Sequence, residues 1–203
     1  TMKIILILIG IVIIIYIIIQ LYTMSAKRNI ETYPYVVNKK YADFEIRSYE
    51  ATLFTSVQLS ENKYKDASNK GFSILAGYIF GGNKKKEKIA MTSPVSMSLG
   101  DSMTMMFMVP KKFTKTTLPE PNQGQIKFKE EPAKTVAAIT FGGWANDEKI
   151  EEYKQKLKSA LDAEGISYTN RFYFLGYNPP FEIFNRKNEV IVELERGAID
   201  VIK

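Results

Sequence analysis

Residues 4–19 are almost unbroken isoleucine, leucine and valine, interrupted only by Gly10 and Tyr16, and no charged residue occurs from Ile4 to Ala26. At 1.5 Å per residue a helix over residues 4–22 is about 29 Å long, close to the hydrocarbon thickness of a bilayer. In lipid every backbone group must pair internally, so a lone apolar span has to be helical. Tyr16 and Tyr22 suit interfacial positions. The competing reading is a cleavable signal peptide, with Lys3 as its basic start and Thr23 to Ala26 as its small residues. Against it, the apolar run exceeds the usual core of about 7–15 residues, and Met24 occupies the minus-three position for cleavage after Ala26; cleavage after Ser25 stays open. Lys3 on one side and Lys27, Arg28, Lys39 and Lys40 on the other barely discriminate orientation, and the short N-terminal tail favours a body outside the cytoplasm. The chain therefore divides into a single-pass anchor over 1–24, a polar, tyrosine-containing connector over 25–41 and a folded body over 42–203.

In the body, helical and strand periods alternate in an order that occurs twice. Residues 44–59 read as extended, with Leu53, Thr55, Val57 and Leu59 on one face. Tyr64, Ala67, Ser68, Gly71, Phe72, Leu75, Tyr78 and Ile79 then recur at three- and four-residue spacing, and Gly81-Gly82-Asn83 stops the helix. Strands over 89–99 and 103–109 follow, the second bounded by Pro110. The second half repeats this: an extended run over 126–141, a helix from Asn146 or Asp147 to Gly165 with Ile150, Tyr153, Leu157, Ala160 and Leu161 as its stripe, and strands over 171–177 and 189–194. Glu152 and Lys156 can pair on the wet face of that helix. Two such units imply an α+β domain whose largely antiparallel, barrel-like sheet carries two helices.

Composition narrows the chemistry. Hydrophobic residues make up 45% and charged residues 25%, as in ordinary folded domains. Cysteine and histidine are both absent, which removes disulfides, thiolate nucleophiles, Cys/His zinc sites, Ser-His-Asp triads and imidazole bases. The adjacent carboxylates Glu130-Glu131 and Glu151-Glu152 diverge on a strand or sit about 100° apart on a helix, so neither makes a catalytic dyad. The expectation is a binding protein, not an enzyme. The net charge of +6 comes from 28 basic and 22 acidic residues that are interspersed except for Lys84, Lys85, Lys86 and Lys88. That is too diffuse for a nucleic-acid stripe, yet it suits anionic lipid or a carboxylate-bearing ligand.

Four segments together carry a family resemblance: Ala76-Gly77-Tyr78-Ile79-Phe80-Gly81-Gly82-Asn83, Lys88-Ile89-Ala90-Met91-Thr92-Ser93-Pro94-Val95, Met106-Phe107-Met108-Val109-Pro110 and Gly176-Tyr177-Asn178-Pro179-Pro180. With Phe141-Gly142-Gly143-Trp144 and Arg186-Lys187-Asn188-Glu189-Val190, they make the chain resemble the SOUL haem-binding family from about Tyr41 to Leu194. The resemblance implies a distorted antiparallel β-barrel of two pseudo-symmetric strand-helix-strand-strand halves with two flanking helices, related to gyrase-inhibitor-like effector-binding domains. It also implies haem or another tetrapyrrole held in a hydrophobic cleft beside the first helix of the body. The axial histidine proposed for some members has no counterpart here.

On that expectation the candidate cofactor-binding residues are Phe72, Leu75 and Ile79 on the helix, Met91, Met106 and Met108 from a methionine-rich stretch, and Lys85 and Arg186 for the propionates, with Arg171 as a further cation. Six of the eight methionines fall between Met91 and Met108. Strand alternation sends Met103 and Met105 to the opposite face from Met106 and Met108, and core packing is the commoner role for such methionines and for a helix stripe. Tyrosine, methionine or lysine are the available iron donors, and none is marked by its pattern. Binding is therefore expected to rest on apolar burial, worth about 25 cal/mol per Å². Two alternatives stay open: a sensor-like pocket for amphipathic or cationic molecules, with Glu182 as its buried carboxylate, and a ligand-free interaction module.

Overall fold

The structure, a computed structural model, describes residues 2–26, 30–61, 63–100, 102–179, 182, 184–195 and 197. Lys27, Arg28, Pro180 and the side chain of Tyr22, all used in the sequence reading, lie outside the described residues. Helix α1, Met2–Ala26, is a single 25-residue helix. Its large side chains from Met2 to Ile19 are exposed, and residues 2–19 are long and apolar enough to cross a membrane, a test that a signal sequence also passes.

The body, residues 31–203, is a separate unit. Its strands are β1 (Tyr35–Lys40), β2 (Glu45–Tyr49), β3 (Thr52–Leu59), β4 (Val95–Ser98), β5 (Met103–Met108), β6 (Ile126–Glu131), β7 (Lys134–Gly142), β8 (Tyr168–Gly176) and β9 (Lys187–Leu194), with α2 (Tyr64–Ile79) and α3 (Asp147–Ala163) between them. They form one antiparallel sheet in the order β1-β2-β7-β9-β8-β4-β5-β3-β6. Outward from the central β8·β4 pair the order is palindromic: each half contributes the strand after its helix, then its last strand, then the strand before its helix. Beyond these, β2 lies beside β7 and β6 beside β3, so each half lends a strand to the other.

This exchange forces the sheet to curl. Strands β2 and β3 lie near opposite edges, yet Tyr49 and Thr52 are three residues apart and so at most about 11 Å. Glu131 and Lys134 impose the same closure between β6 and β7. The Tyr33 ring shows the result, packing on Tyr49 of β2 at 4.3 Å and on Phe54 of β3 at 5.2 Å between centroids.

Register assigns the two faces. Met97 pairs with Phe174, and both belong to clusters under the helices; Ser96 pairs with Leu175 and Met106 on the opposite, inner face. Helix α2 covers Val57, Leu59, Met97, Met103, Met105 and Phe107. Helix α3 covers Ile46, Ile139, Phe141, Phe172, Phe174 and Val192. The inner face gathers Tyr33, Tyr49, Phe54, Met106, Met108, Tyr173 and Leu175. Among the described residues each cluster is built from the body's own side chains, which give it a self-sufficient core.

Several strands are shorter or divided relative to the sequence reading. The extended run over 126–141 breaks at Pro132-Ala133, where proline has no N–H for the ladder, and that over 44–59 breaks at Glu50-Ala51. Of residues 89–99, only Val95–Ser98 is a strand; residues 89–94 run irregularly, with Tyr33 N–H donating to Ser93 O at 3.0 Å. Within the stretch read as connector, Tyr35–Lys40 is the edge strand β1, paired with β2.

Candidate functional site

Helix α2 ends in a turn set by sequence. Gly81 adopts φ +111, the left-handed region in which a side chain is strained, and a Cβ at Gly82 would lie 2.6 Å from Gly77 O. Asn83, almost wholly buried, then organises the next residues: its Nδ2 donates to Tyr78 O (3.2 Å) and Glu87 O (2.7 Å), while its Oδ1 accepts from Glu87 N–H at 3.0 Å. Lys86 sits at φ +53. The outcome is a rigid turn from which Lys84, Lys85, Lys86 and Lys88 all project into solvent. None of the four has an ion-pair partner among the described residues. Beside them Phe80 is 63% exposed. Lysines in this arrangement are mobile charge-assisted donors next to an aromatic face.

The eight predicted residues do not converge. Leu75 and Ile79 are buried in the α2 cluster, and Phe72 packs edge-on against Phe107 with centroids 5.5 Å apart. Met91 is half-buried against the same cluster, and Lys85 is exposed in the turn. Met106 and Met108 lie on the inner face, across the sheet from α2; Met103 and Met105 are under α2, as the alternation requires. Arg186 is elsewhere again. Its Nη1 donates to the carbonyls of Pro179 (3.0 Å) and Glu182 (2.6 Å), and its guanidinium lies 4.0 Å from the ring centre of Trp144. It thereby braces its own loop, and Arg171 is engaged by Glu193 at 2.6 Å. Phe72, Met91 and Lys85 therefore share the α2 side, with Leu75 and Ile79 as the floor beneath.

The inner face is packed and internally neutralised. Glu189, fully buried, accepts from Arg47 (2.9 Å), Tyr177 Oη (2.7 Å) and Thr140 Oγ1 (3.1 Å) and pairs with Lys187 at 3.0 Å. Burial pushes its pKa up, but the hydrogen bond and charge of Arg47 outweigh burial and hold it below the usual carboxylate range. Glu131 is held down in the same way by Lys129 and Lys134 against its burial. Burial pushes the Tyr49 phenol up to about 12, and burial together with nearby carboxylates drives Tyr33, Tyr173 and Tyr177 higher still. Phenols so placed resist becoming the phenolates that iron ligation requires.

The carboxylates weighed as catalytic dyads diverge as expected. Glu131 pairs with Lys134 at 2.6 Å while Glu130 lies 3.9 Å from Lys115, and Glu151 and Glu152 pair separately with Lys154 and Lys156 on α3. A groove of about 270 Å³ runs between the two helix N-termini, lined by Tyr64, Leu99, Met103, Asp147, Ile150 and Lys154. There Asp147 caps the other half's helix, its Oδ1 accepting from Tyr64 N–H at 2.6 Å.

Sequence reasoning missed Phe80, Trp144 and Phe184 as exposed aromatics, at 63, 56 and 64% exposure. For Phe80 a signal existed: at 100° per residue it falls off the Phe72, Leu75, Ile79 stripe, so a large aromatic stands on the wet side.

A curled antiparallel sheet with two helices on its outer face defines the class: an α+β half-barrel. Residues 30–193 match the family described as SOUL heme-binding protein, and the chain belongs to that family. It is 30% identical over 156 residues to heme-binding protein 1 of Xenopus laevis, covering 72% of this chain and 81% of that one. It is 28% identical to heme-binding protein 2 of Homo sapiens, covering 72% and 76%. Among solved structures the EcmrR C-terminal domain superposes with a TM-score of 0.60 at 13% identity, covering 75% of this chain and 96% of that one. At that identity the likeness speaks for the fold alone.

Proposed function

We infer that this protein binds haem or a similar flat tetrapyrrole on the α2 side of the body, without imidazole ligation, and that α1 tethers it to a membrane. The observation that carries the reading is the turn held by Asn83, which presents four exposed lysines with no ion-pair partner among the described residues beside exposed Phe80, with half-buried Phe72 and Met91 on the same side. An amphipathic macrocycle needs that combination: apolar surface for its ring and cations for its carboxylates. Family membership and the names of the curated relatives support the ligand class. The 203 residues contain no histidine, and the inner phenols are held protonated, so affinity comes from apolar burial and the lysines, with a thioether such as Met91 the nearest candidate iron donor. The role is read as binding, not turnover, because the adjacent carboxylates Glu130-Glu131 and Glu151-Glu152 are each paired to a separate cation and form no dyad.

Titration of the purified body with haemin, followed at the Soret band, tests this. Saturable binding at micromolar haemin is expected, with a spectrum unlike that of bis-imidazole haem. A folded body that shows no saturation would sink the haem reading, and release of the chain from membranes by alkaline carbonate would sink the tether.

A further inference from the structure

Charge on this protein is unevenly placed. Residues 84–88 and 111–120 hold seven exposed lysines, Lys84, Lys85, Lys86, Lys88, Lys111, Lys112 and Lys115, against Glu87 and Glu120. They account for five of the six net positive charges of the whole chain. The two segments close the same end of the α2 cluster: Lys84 N–H donates to Glu120 O at 2.9 Å and Asn122 N–H to Gly82 O at 3.3 Å, while Ile89, Val109 and Leu118 pack together beneath. Of the seven, only Lys115 has an ion-pair partner among the described residues, Glu130 at 3.9 Å. Phe80 is exposed at this end.

Glu31 is held at the same end of the body. Glu31 accepts from Lys111 N–H through its carboxylate at 2.8 Å and from Ser93 N–H through its carbonyl at 3.0 Å. In sequence, Lys27 and Arg28 precede Glu31 by four and three residues, after the apolar stretch. A lysine field without arginine acts by point-charge attraction and lacks the planar forks that read nucleic acids. One large aromatic projecting from such a field is suited to enter a headgroup layer.

We propose that this end of the body docks on an anionic bilayer surface, with Phe80 in the headgroup layer and the lysines on lipid phosphates and carboxylates. The inference rests on the reading above and deepens it: Phe80 and the turn lysines meet either the macrocycle or the lipid, so haemin and anionic vesicles compete for this end of the body.

The test uses residues 31–203, whose core is built from the body's own side chains, in co-sedimentation with phosphatidylcholine vesicles with and without phosphatidylserine. Binding is expected to be at least about tenfold stronger with phosphatidylserine and to fall as salt shortens the screening length. The exposed-turn variant K84Q/K85Q/K86Q/K88Q should lose about tenfold or more, and Phe80→Ser should weaken binding while leaving its salt dependence. Equal binding to both vesicles, full binding by the quadruple variant with an unchanged circular dichroism spectrum, or equally tight binding to a DNA duplex would overturn the proposal. Haemin titration of the same samples separates the two readings: vesicle binding without haemin binding removes the ligand and leaves the docking, and the converse removes the docking alone.

Discussion

The α2 and α3 halves repeat one order of elements, yet they dispose of their surface charge in opposite ways. On α3, Glu152 and Lys156 meet at 2.6 Å, Lys154 and Glu151 at 3.5 Å, and Gln155 donates to Glu151 at 2.6 Å. Those pairs lie along the helix itself. On the α2 side, Asn83 holds a turn whose lysines are exposed and make no ion pair among the described residues, next to the exposed ring of Phe80. Pseudo-symmetry thus supplies two equivalent scaffolds, of which one carries ion pairs along its helix and the other ends in a turn of exposed lysines. The difference is a loop difference: α3 passes through Gly165 almost directly into β8, whereas α2 is followed by 15 residues before β4.

The largest expected effect lies where the halves share a structure and the comparison should vanish. Arg47 of β2 pairs with Glu189 of β9 inside the barrel, and Arg47→Met leaves that buried carboxylate with Lys187 as its remaining cation. A loss of up to about 3–5 kcal/mol is expected in urea unfolding of the body. The sign of the acid response follows from the same groups. Glu189 and Glu131 have native pKa values below the ordinary value of 4.5, so their contribution is complete above that pH and is lost as pH falls through the native values. Urea midpoints measured on acidification should drop below about pH 4.5, and Glu189→Gln should flatten the slope; an unchanged slope would mean the pair does not stabilise the fold.

The two helices provide the next comparison. Leu75 of α2 and Leu157 of α3 are each fully buried, and Leu→Ala at either site should cost about 2–5 kcal/mol. Similar losses would confirm equivalent scaffolds; a much smaller loss at Leu75 would mean the α2 side is already loosened for its ligand. The smallest expected effects separate the two asparagines. Asn83→Ala leaves buried backbone groups unpaired and should cost about 1–3 kcal/mol together with haemin affinity. Asn146, whose side chain caps α3 by accepting from Lys149 N–H at 2.9 Å, should cost about 1 kcal/mol on substitution by alanine and leave haemin binding intact. Equal effects on haemin would break the contrast between the halves.

Local pattern was enough for α1, for both helices of the body and for the face of each β5 methionine, because apolar periodicity and Gly-Gly-Asn punctuation are properties of adjacent residues. It was enough, too, to exclude imidazole and thiolate chemistry, since a missing residue type needs no structure. The candidate site was legible only in pieces. Lys85 and Met91 stand on the α2 side, but Leu75 and Ile79 are its floor, Met106 and Met108 face the tyrosine-lined interior, and Arg186 braces a distant loop against Trp144. Alternation says that two residues point apart; it does not say which side of the sheet receives the helix. That was settled by closure of the barrel, in which β2 crosses to β7 and β6 to β3, a long-range pairing that no window of neighbouring residues encodes. Composition and periodicity therefore determined what this chain is made of and which chemistries it lacks, while the strand exchange alone decided which apolar residues became interior, which became floor, and which cations were left facing outward.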